Sequence, residues 1–185
     1  MKELTKPAGI LLLIAAVAAA LLGIIHDVTA GPIATKSAAT QAAAMQEVFP
    51  DAESFETIED APLSGTISAV NVAKDASGSD AGYVITVAPS GFGGPITTMV
   101  GVTADGTVTG ISVLSLSETP GLGARATEEG EGSFKSQFEG FSGNLAVTKD
   151  GGDIEPITSA TITSRAVTSG VKEAVDWVAE NGGAK

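Results

Sequence analysis

The sequence predicts an α+β protein: a single N-terminal transmembrane helix, then one domain in which a twisted antiparallel sheet is packed by helices. Three observations predict it. Residues 8–25 contain no charged side chain. Four segments rich in Val, Ile and Thr follow one another between residues 66 and 116. Near the C-terminus, five hydroxyl side chains fall between Thr158 and Ser164 and lead into an amphipathic pattern. Its apolar residues Val167, Val171, Ala174, Val175 and Val178 recur at helical spacing, with Lys172, Glu173, Asp176 and Glu180 on other faces.

At ~1.5 Å rise per residue, the run Ala8 to Ile25 spans roughly 27 Å, close to the thickness of a bilayer's hydrocarbon core. Lys2 and Lys6 precede it, which places residues 1–7 in the cytoplasm and the chain beyond Asp27 outside. The competing reading is a cleaved signal peptide, with Val28-Thr29-Ala30 as the small-residue site, but the apolar run exceeds the ~7–15 residues of such a segment. Residues 26–60 read as a linker and helix: Gly31 to Ile33 as a Gly-Pro linker, then a helix from Thr35 to Val48 capped by Thr35 or Ser37 and ended by Phe49-Pro50. Glu53, Glu56, Glu59 and Asp60 make the next stretch acidic and exposed.

Residues 61–185 read as the domain proper. Strands are expected at residues 66–73, 82–88, 96–102 and 107–116, with one sheet face covered by helices. Asp75 to Asp80 reads as a polar loop and Ala104-Asp105-Gly106 as a hairpin turn. A short helix is expected at residues 133–138, a last short strand at 146–149, and a turn at Asp150-Gly-Gly-Asp153. The tail from Asn181 to Lys185 reads as frayed.

The formal charge is −12, from 10 Lys and Arg against 22 Asp and Glu. Lys2, Glu3 and Lys6 precede the apolar run, which leaves 8 basic and 21 acidic residues beyond it. Such a surface repels nucleic acid and anionic headgroups, so nucleic acid is excluded as a partner and the only lipid contact expected is that of the apolar helix. There is no cysteine, so thiolate iron–sulfur ligation, disulfides and thiol nucleophiles are excluded, and no metal site is expected. The single histidine, His26, sits at the end of the apolar run and reads as an interfacial residue, not a catalytic base. Redox chemistry in this chain would have to be carried by an organic cofactor.

Two readings of the hydroxyl cluster stay open from the residues alone. Ser and Thr oxygens cap helices by accepting free backbone N–H groups. Those same N–H groups, with the positive end of the helix dipole, also form phosphate sites. Elsewhere, Thr119-Pro-Gly-Leu-Gly123 reads as a tight loop in which Pro120 fixes one angle while Gly121 and Gly123 permit close approach. Gly91-Phe-Gly-Gly-Pro-Ile96 fails the dinucleotide-binding spacing and reads as a bend that shapes the sheet and lets Phe92 pack.

Thr158-Ser159-Ala160-Thr161 resembles the [ST]-[GS]-A-T motif of the FMN-binding domain family, in which the phosphate of FMN is esterified to the final threonine. Glu118-Thr-Pro-Gly-Leu-Gly123 matches that family's E-T-P-G-L-G loop at every position, and residues 91–96 resemble its G-[YF]-G-G-P-I hairpin. Over nearly its whole length the chain is similar to the G subunits of Rnf electron-transport complexes, and also to the C subunit of the sodium-pumping NADH:quinone oxidoreductase.

The resemblance implies covalent FMN on Thr161. Thr158, Ser159, Ala160, Thr163 and Ser164 would surround the attachment, and Glu118, Thr119, Pro120, Gly121, Leu122 and Gly123 would line the flavin, with Leu122 over a ring face. Thr163, Ser164 and Arg165 would steady the charge of the diester. Ser159 departs from the commoner glycine, and Ser117 stands where relatives often carry a basic residue. The implied protein is an electron-transfer subunit without a reaction of its own. It works beside iron–sulfur and flavin subunits in a complex that couples ferredoxin oxidation and NAD reduction to sodium-ion or proton translocation, and a flavin transferase loads it. The other class left open is an anchored extracytoplasmic binding or scaffold domain in which residues 158–164 are only a cap.

Overall fold

The computed structural model describes residues 2–182, so the tail expectation beyond Gly182 lies outside the described residues. Helix α1 runs Lys2–Val48 without interruption, where two helices separated by a Gly-Pro linker were expected. Pro32 costs one hydrogen bond, the one its absent N–H would give the Val28 carbonyl. The alanine-rich turns on either side carry the helix past it. Thr35 is therefore no cap, and its hydroxyl donates back to the Gly31 carbonyl at 3.1 Å. The stretch Gly9–Val48 is long and apolar enough to cross a membrane, with a mean hydropathy of 2.6 in its most apolar window and none of that window buried within the protein.

The chain divides into two compact units, the first ending at Gln41 and the second starting at Ala42. The second unit holds a five-stranded antiparallel meander, β1 Ser54–Thr57, β2 Ile67–Lys74, β3 Asp80–Val87, β4 Thr97–Thr103 and β5 Val108–Ser115, paired in chain order. The last four match the strands expected from composition. The acidic stretch supplies an unexpected edge strand, β1, whose Glu56 pairs with Lys74 on β2 at 2.7 Å. A charged edge discourages pairing with other chains. The loop at residues 75–80 is built on Asp75, whose carboxylate accepts from the Ser77 and Ser79 N–H groups at 2.8 and 2.9 Å. The hairpin at residues 103–107 turns on Gly106, at φ 87.

Both faces of the sheet are covered, against the single face expected. On one, Val70, Ile85, Val87 and Val100 meet Val167, Val171, Ala174 and Val178 of helix α2, which runs Thr161–Asn181. On the other, Ala73, Val84 and Met99 meet Ala44, Val48 and Phe49. Bare glycine backbone makes room for this second layer: a Cβ on Gly101 would lie 2.3 Å from the Val48 carbonyl oxygen. The Thr109 hydroxyl donates to that same carbonyl. Helix α2 is further locked by Glu173, which accepts from the Thr66 N–H at 2.9 and 3.1 Å, and by the Trp177 indole, which donates to the Pro62 carbonyl at 2.9 Å.

Between β5 and α2 the chain is irregular, with 3-10 turns at Gly123–Thr127, Lys135–Phe138 and Thr148–Asp150. The strand expected at residues 146–149 is reduced to one parallel bridge, Val147 to Ile154. The chain reverses too soon for more: Gly151 takes φ 83, and Gly152 packs so tightly that a Cβ would lie 2.0 Å from the Ala146 carbonyl oxygen.

Candidate functional site

The two motifs, some forty residues apart in sequence, share one cavity of about 360 Å³. Its walls are Glu118, Thr119, Leu122 and Gly123 from the loop after β5, and Ser159 to Thr163 from the start of α2. Phe92, from the hairpin between β3 and β4, completes it. Of the expected residues, Pro120, Gly121, Thr158 and Ser164 are not part of this wall.

Glu118 organises the loop side. It is 8 % exposed, and its carboxylate accepts from the Gly93 N–H at 2.9 Å and from the Thr163 hydroxyl at 2.7 Å. It thereby ties the hairpin of residues 91–96 to the first turn of α2. Glycines make room for it: a Cβ on Gly91 or on Gly123 would sit 2.4 Å from one of its oxygens. Gly121 differs, since nothing lies within 4 Å of its would-be Cβ and only its φ of +75 demands glycine. Within the protein, the close approach expected of the loop's two glycines is seen at Gly123.

The hydroxyl run divides sharply. Thr163 is 1 % exposed and committed to Glu118; Ser164 is fully buried, accepts from the Ile157 N–H at 2.9 Å and donates to the Ala160 carbonyl at 3.0 Å. Both hydroxyls, expected beside the diester, are thus already bonded within the protein, and only Thr163 borders the cavity. Thr158 is exposed but faces a different hollow, with Arg125 and Pro156. Ser159 is exposed and lies at φ 65, the one non-glycine residue in the left-handed region among the described residues. A glycine would take that conformation without cost, so the serine accepts strain of about 1 kcal/mol.

Thr161 is the first residue of α2, at the cavity wall. No side chain caps this helix; the position before it is Ala160. The N–H groups of the first turn have no intrahelical acceptors. The Thr161 hydroxyl instead accepts a hydrogen bond from the Lys149 ammonium at 3.0 Å. Lys149 carries no sequence signal for this role because it lies twelve residues upstream, and only the return at Gly151-Gly152 brings it back. Arg165, expected beside the diester, is held by Asp150 in a two-pronged pair at 2.6 and 2.7 Å. The guanidinium beside Asp150 holds its carboxyl below the ordinary 3.8.

Three large apolar side chains stand exposed at this mouth: Phe92 at 73 %, Ile162 at 51 % and Leu122 at 41 %. Phe92, on the bend of residues 91–96, is exposed at the cavity wall and is not part of the core. A cavity in the usual size range for small-molecule sites, with apolar side chains at its rim and, at one wall, the start of a helix whose first hydroxyl is bonded by an ammonium, suits a flat aromatic group carrying a phosphate. Among the described residues there is no cluster able to hold a metal ion.

Comparison with known proteins agrees with this geometry. Residues 91–176 match the FMN-binding domain family, and residues 1–48 match the RnfG N-terminal region. The chain is 36 % identical over 192 residues to the G subunit of the Na(+)-translocating ferredoxin:NAD(+) oxidoreductase complex of Acetobacterium woodii, covering 94 % of this chain and 91 % of that protein. It is 35 % identical over 187 residues to the G subunit of the ion-translocating oxidoreductase complex of Methanosarcina acetivorans, covering 98 % of each. Against the G subunit of the proton-translocating ferredoxin:NAD(+) oxidoreductase complex of Clostridium ljungdahlii, identity is 46 % over 107 residues, 56 % of each chain.

Proposed function

Because the chain belongs to the family of G subunits of ion-translocating oxidoreductase complexes, we propose that it is the membrane-anchored subunit that relays electrons through FMN in a ferredoxin:NAD oxidoreductase complex. It acts as part of that complex and has no reaction of its own. FMN supplies one- and two-electron chemistry where it is bound. The protein's share of the work is to hold and shield it. Leu122, Phe92 and Ile162 offer apolar contact to the ring system, and Glu118 fixes the loop that positions Leu122. The wall at Thr161 receives the phosphate end.

The FMN is covalent in this reading. The Thr161 oxygen bonds to the flavin phosphorus and loses its proton, AMP leaves from a flavin adenine dinucleotide donor, and a flavin transferase catalyses the exchange. The observation that carries the assignment is the meeting of both motifs in one cavity with the Thr161 hydroxyl at its wall. Of the five clustered hydroxyls, Thr163 and Ser164 are buried and bonded, and Thr158 faces elsewhere. Ser159 lines the cavity too but lacks a cationic partner, so it is the second candidate.

The domain is read as extracytoplasmic, with residues 1–7 inside, 8–25 in the lipid and the FMN domain outside. A tether suits that side, where free FMN is scarce. Electrons would then cross the membrane through cofactors of iron–sulfur and flavin partner subunits. Full-length agreement with G subunits favours this over the C subunit of the sodium-pumping NADH:quinone oxidoreductase, and the match to the FMN-binding domain favours it over a scaffold.

Intact-mass measurement after co-expression with a flavin transferase tests the attachment. The wild-type chain should carry one FMN adduct and Thr161→Ala none. An adduct that persists in the alanine variant would remove the assignment.

A further inference from the structure

We propose that Lys149 is the counter-ion of the attachment site: its ammonium stabilises the Thr161 oxygen as the hydroxyl proton leaves, and afterwards neutralises the phosphodiester. The proposal rests on attachment at Thr161 and adds a second residue to it.

The pattern of charge sets Lys149 apart. Lys74, Arg125, Lys135, Arg165 and Lys172 each hold a carboxylate, at 2.6 to 3.1 Å for the closest pair of atoms. Among the described residues of the second unit, Lys149 is the one cation without such a partner. In a chain with 22 acidic residues against 10 basic ones, an unpaired lysine is not for want of carboxylates. Those nearby in sequence are engaged elsewhere. Asp150 binds Arg165, Asp153 accepts from the Asn144 N–H at 2.8 Å, and Glu155 accepts from the Thr148 hydroxyl at 3.1 Å.

Position is fixed as well as charge. Thr161 and Arg165 stand one turn apart on the same face of α2. The adjacent residues Lys149 and Asp150 meet them in order, lysine to threonine and aspartate to arginine. The Asp150–Arg165 pair therefore acts as a clamp that registers the 3-10 turn of residues 148–150 against the helix. The Val147 carbonyl, which accepts from the Asp150 N–H at 2.8 Å, and the Ile154 carbonyl, which accepts from the Thr148 N–H at 2.8 Å, hold the turn from behind.

The chemistry needs a cation here. Attachment forms the bond from the Thr161 oxygen to the flavin phosphorus and breaks the phosphoanhydride bond of the dinucleotide donor. The hydroxyl proton passes to a base of the transferase, and AMP leaves with the anhydride electrons. Negative charge gathers on the threonine oxygen and on the phosphoryl oxygens, where a charge-assisted hydrogen bond is strongest. The product diester keeps one negative charge, on a surface whose overall charge is acidic.

The test follows covalent flavin by intact mass over time, using the full-length chain, a flavin transferase, Mg2+ and flavin adenine dinucleotide. Lys149→Met should be loaded about tenfold more slowly or worse, the loss expected of one charge-assisted bond, while Lys149→Arg retains most of the rate. Both should unfold at the wild-type temperature, since Lys149 is exposed. Asp150→Asn should slow loading by a smaller factor, through the lost clamp. Loading of Lys149→Met at the wild-type rate, with Thr161→Ala unloaded, would overturn the lysine's role alone. An adduct in Thr161→Ala would overturn the attachment reading and the lysine's role with it.

Discussion

Thr161 and Ser164 are three residues apart in one hydroxyl-rich run, and the fold uses them in opposite ways. Ser164 is fully buried, with its oxygen both accepting from Ile157 and donating to Ala160. Thr161 is half-buried at the mouth of a cavity, and its partner is a lysine side chain. Burial, not residue type, separates a hydroxyl that builds the loop from one open to chemistry. The contrast implies two kinds of variant: those that lose the ligand and keep the fold, and those that lose the fold.

The largest effect is expected at Thr161. Alanine there should abolish the adduct yet shift stability by within about 0.5 kcal/mol, because Thr161 follows the cap position and supplies no capping bond. Ser164→Ala should do the reverse. It leaves the buried Ile157 N–H without its acceptor, a cost of about 1–3 kcal/mol readable in denaturant melts. Loading of whatever remains folded should persist.

Gly123→Ala sharpens the same division on the loop side. Its Cβ would meet the Glu118 carboxylate at 2.4 Å and the Thr163 hydroxyl at 2.6 Å. It should destabilise by about 1–3 kcal/mol and shift the flavin spectrum as Leu122 moves. Gly121→Ala, in open space, should cost only the ~1 kcal/mol of its left-handed backbone. Equal penalties at the two glycines would mean the Glu118 hub is not rigid.

Much of this was legible in the sequence. Strands β2 to β5 and helix α2 follow from apolar periodicity, because buried faces impose that period whatever the partner. The unbroken α1 was not legible, since Gly31 and Pro32 read locally as a break while the alanine-rich turns around them decide the outcome. The second covered face was hidden because its signal is absence: Gly101 looks like a weak strand residue until Val48 lies on it. Motifs 118–123 and 158–161 could be paired only through family resemblance. Lys149 carried no signal at all, because its meeting with Thr161 depends on a two-glycine reversal.

Ser159 offers a smaller test. Replacing it with glycine at φ 65 should relieve strain while freeing the unfolded chain, so the net change should stay within about 1 kcal/mol, with loading intact. Failure to load would mean that the Ser159 side chain takes part in the chemistry.

Acid offers the smallest. The Asp150 carboxyl is held below its ordinary 3.8 mainly by its bond from Arg165. A depressed carboxyl contributes stability above its unfolded value and loses that contribution as pH falls through the folded value. The clamp should therefore hold down to about pH 4 and release below it, seen as a carboxyl titration by NMR that Arg165→Met moves back up.

The most direct measurement is the address of the flavin on the wild-type chain. Trypsin cuts after Lys149 and Arg165, so one peptide, residues 150–165, carries all five clustered hydroxyls. Fragmentation of that peptide from flavin-loaded protein should place the whole FMN mass on Thr161, with Thr158, Ser159, Thr163 and Ser164 unmodified. The mass on Ser159, or anywhere outside that peptide, would contradict the account.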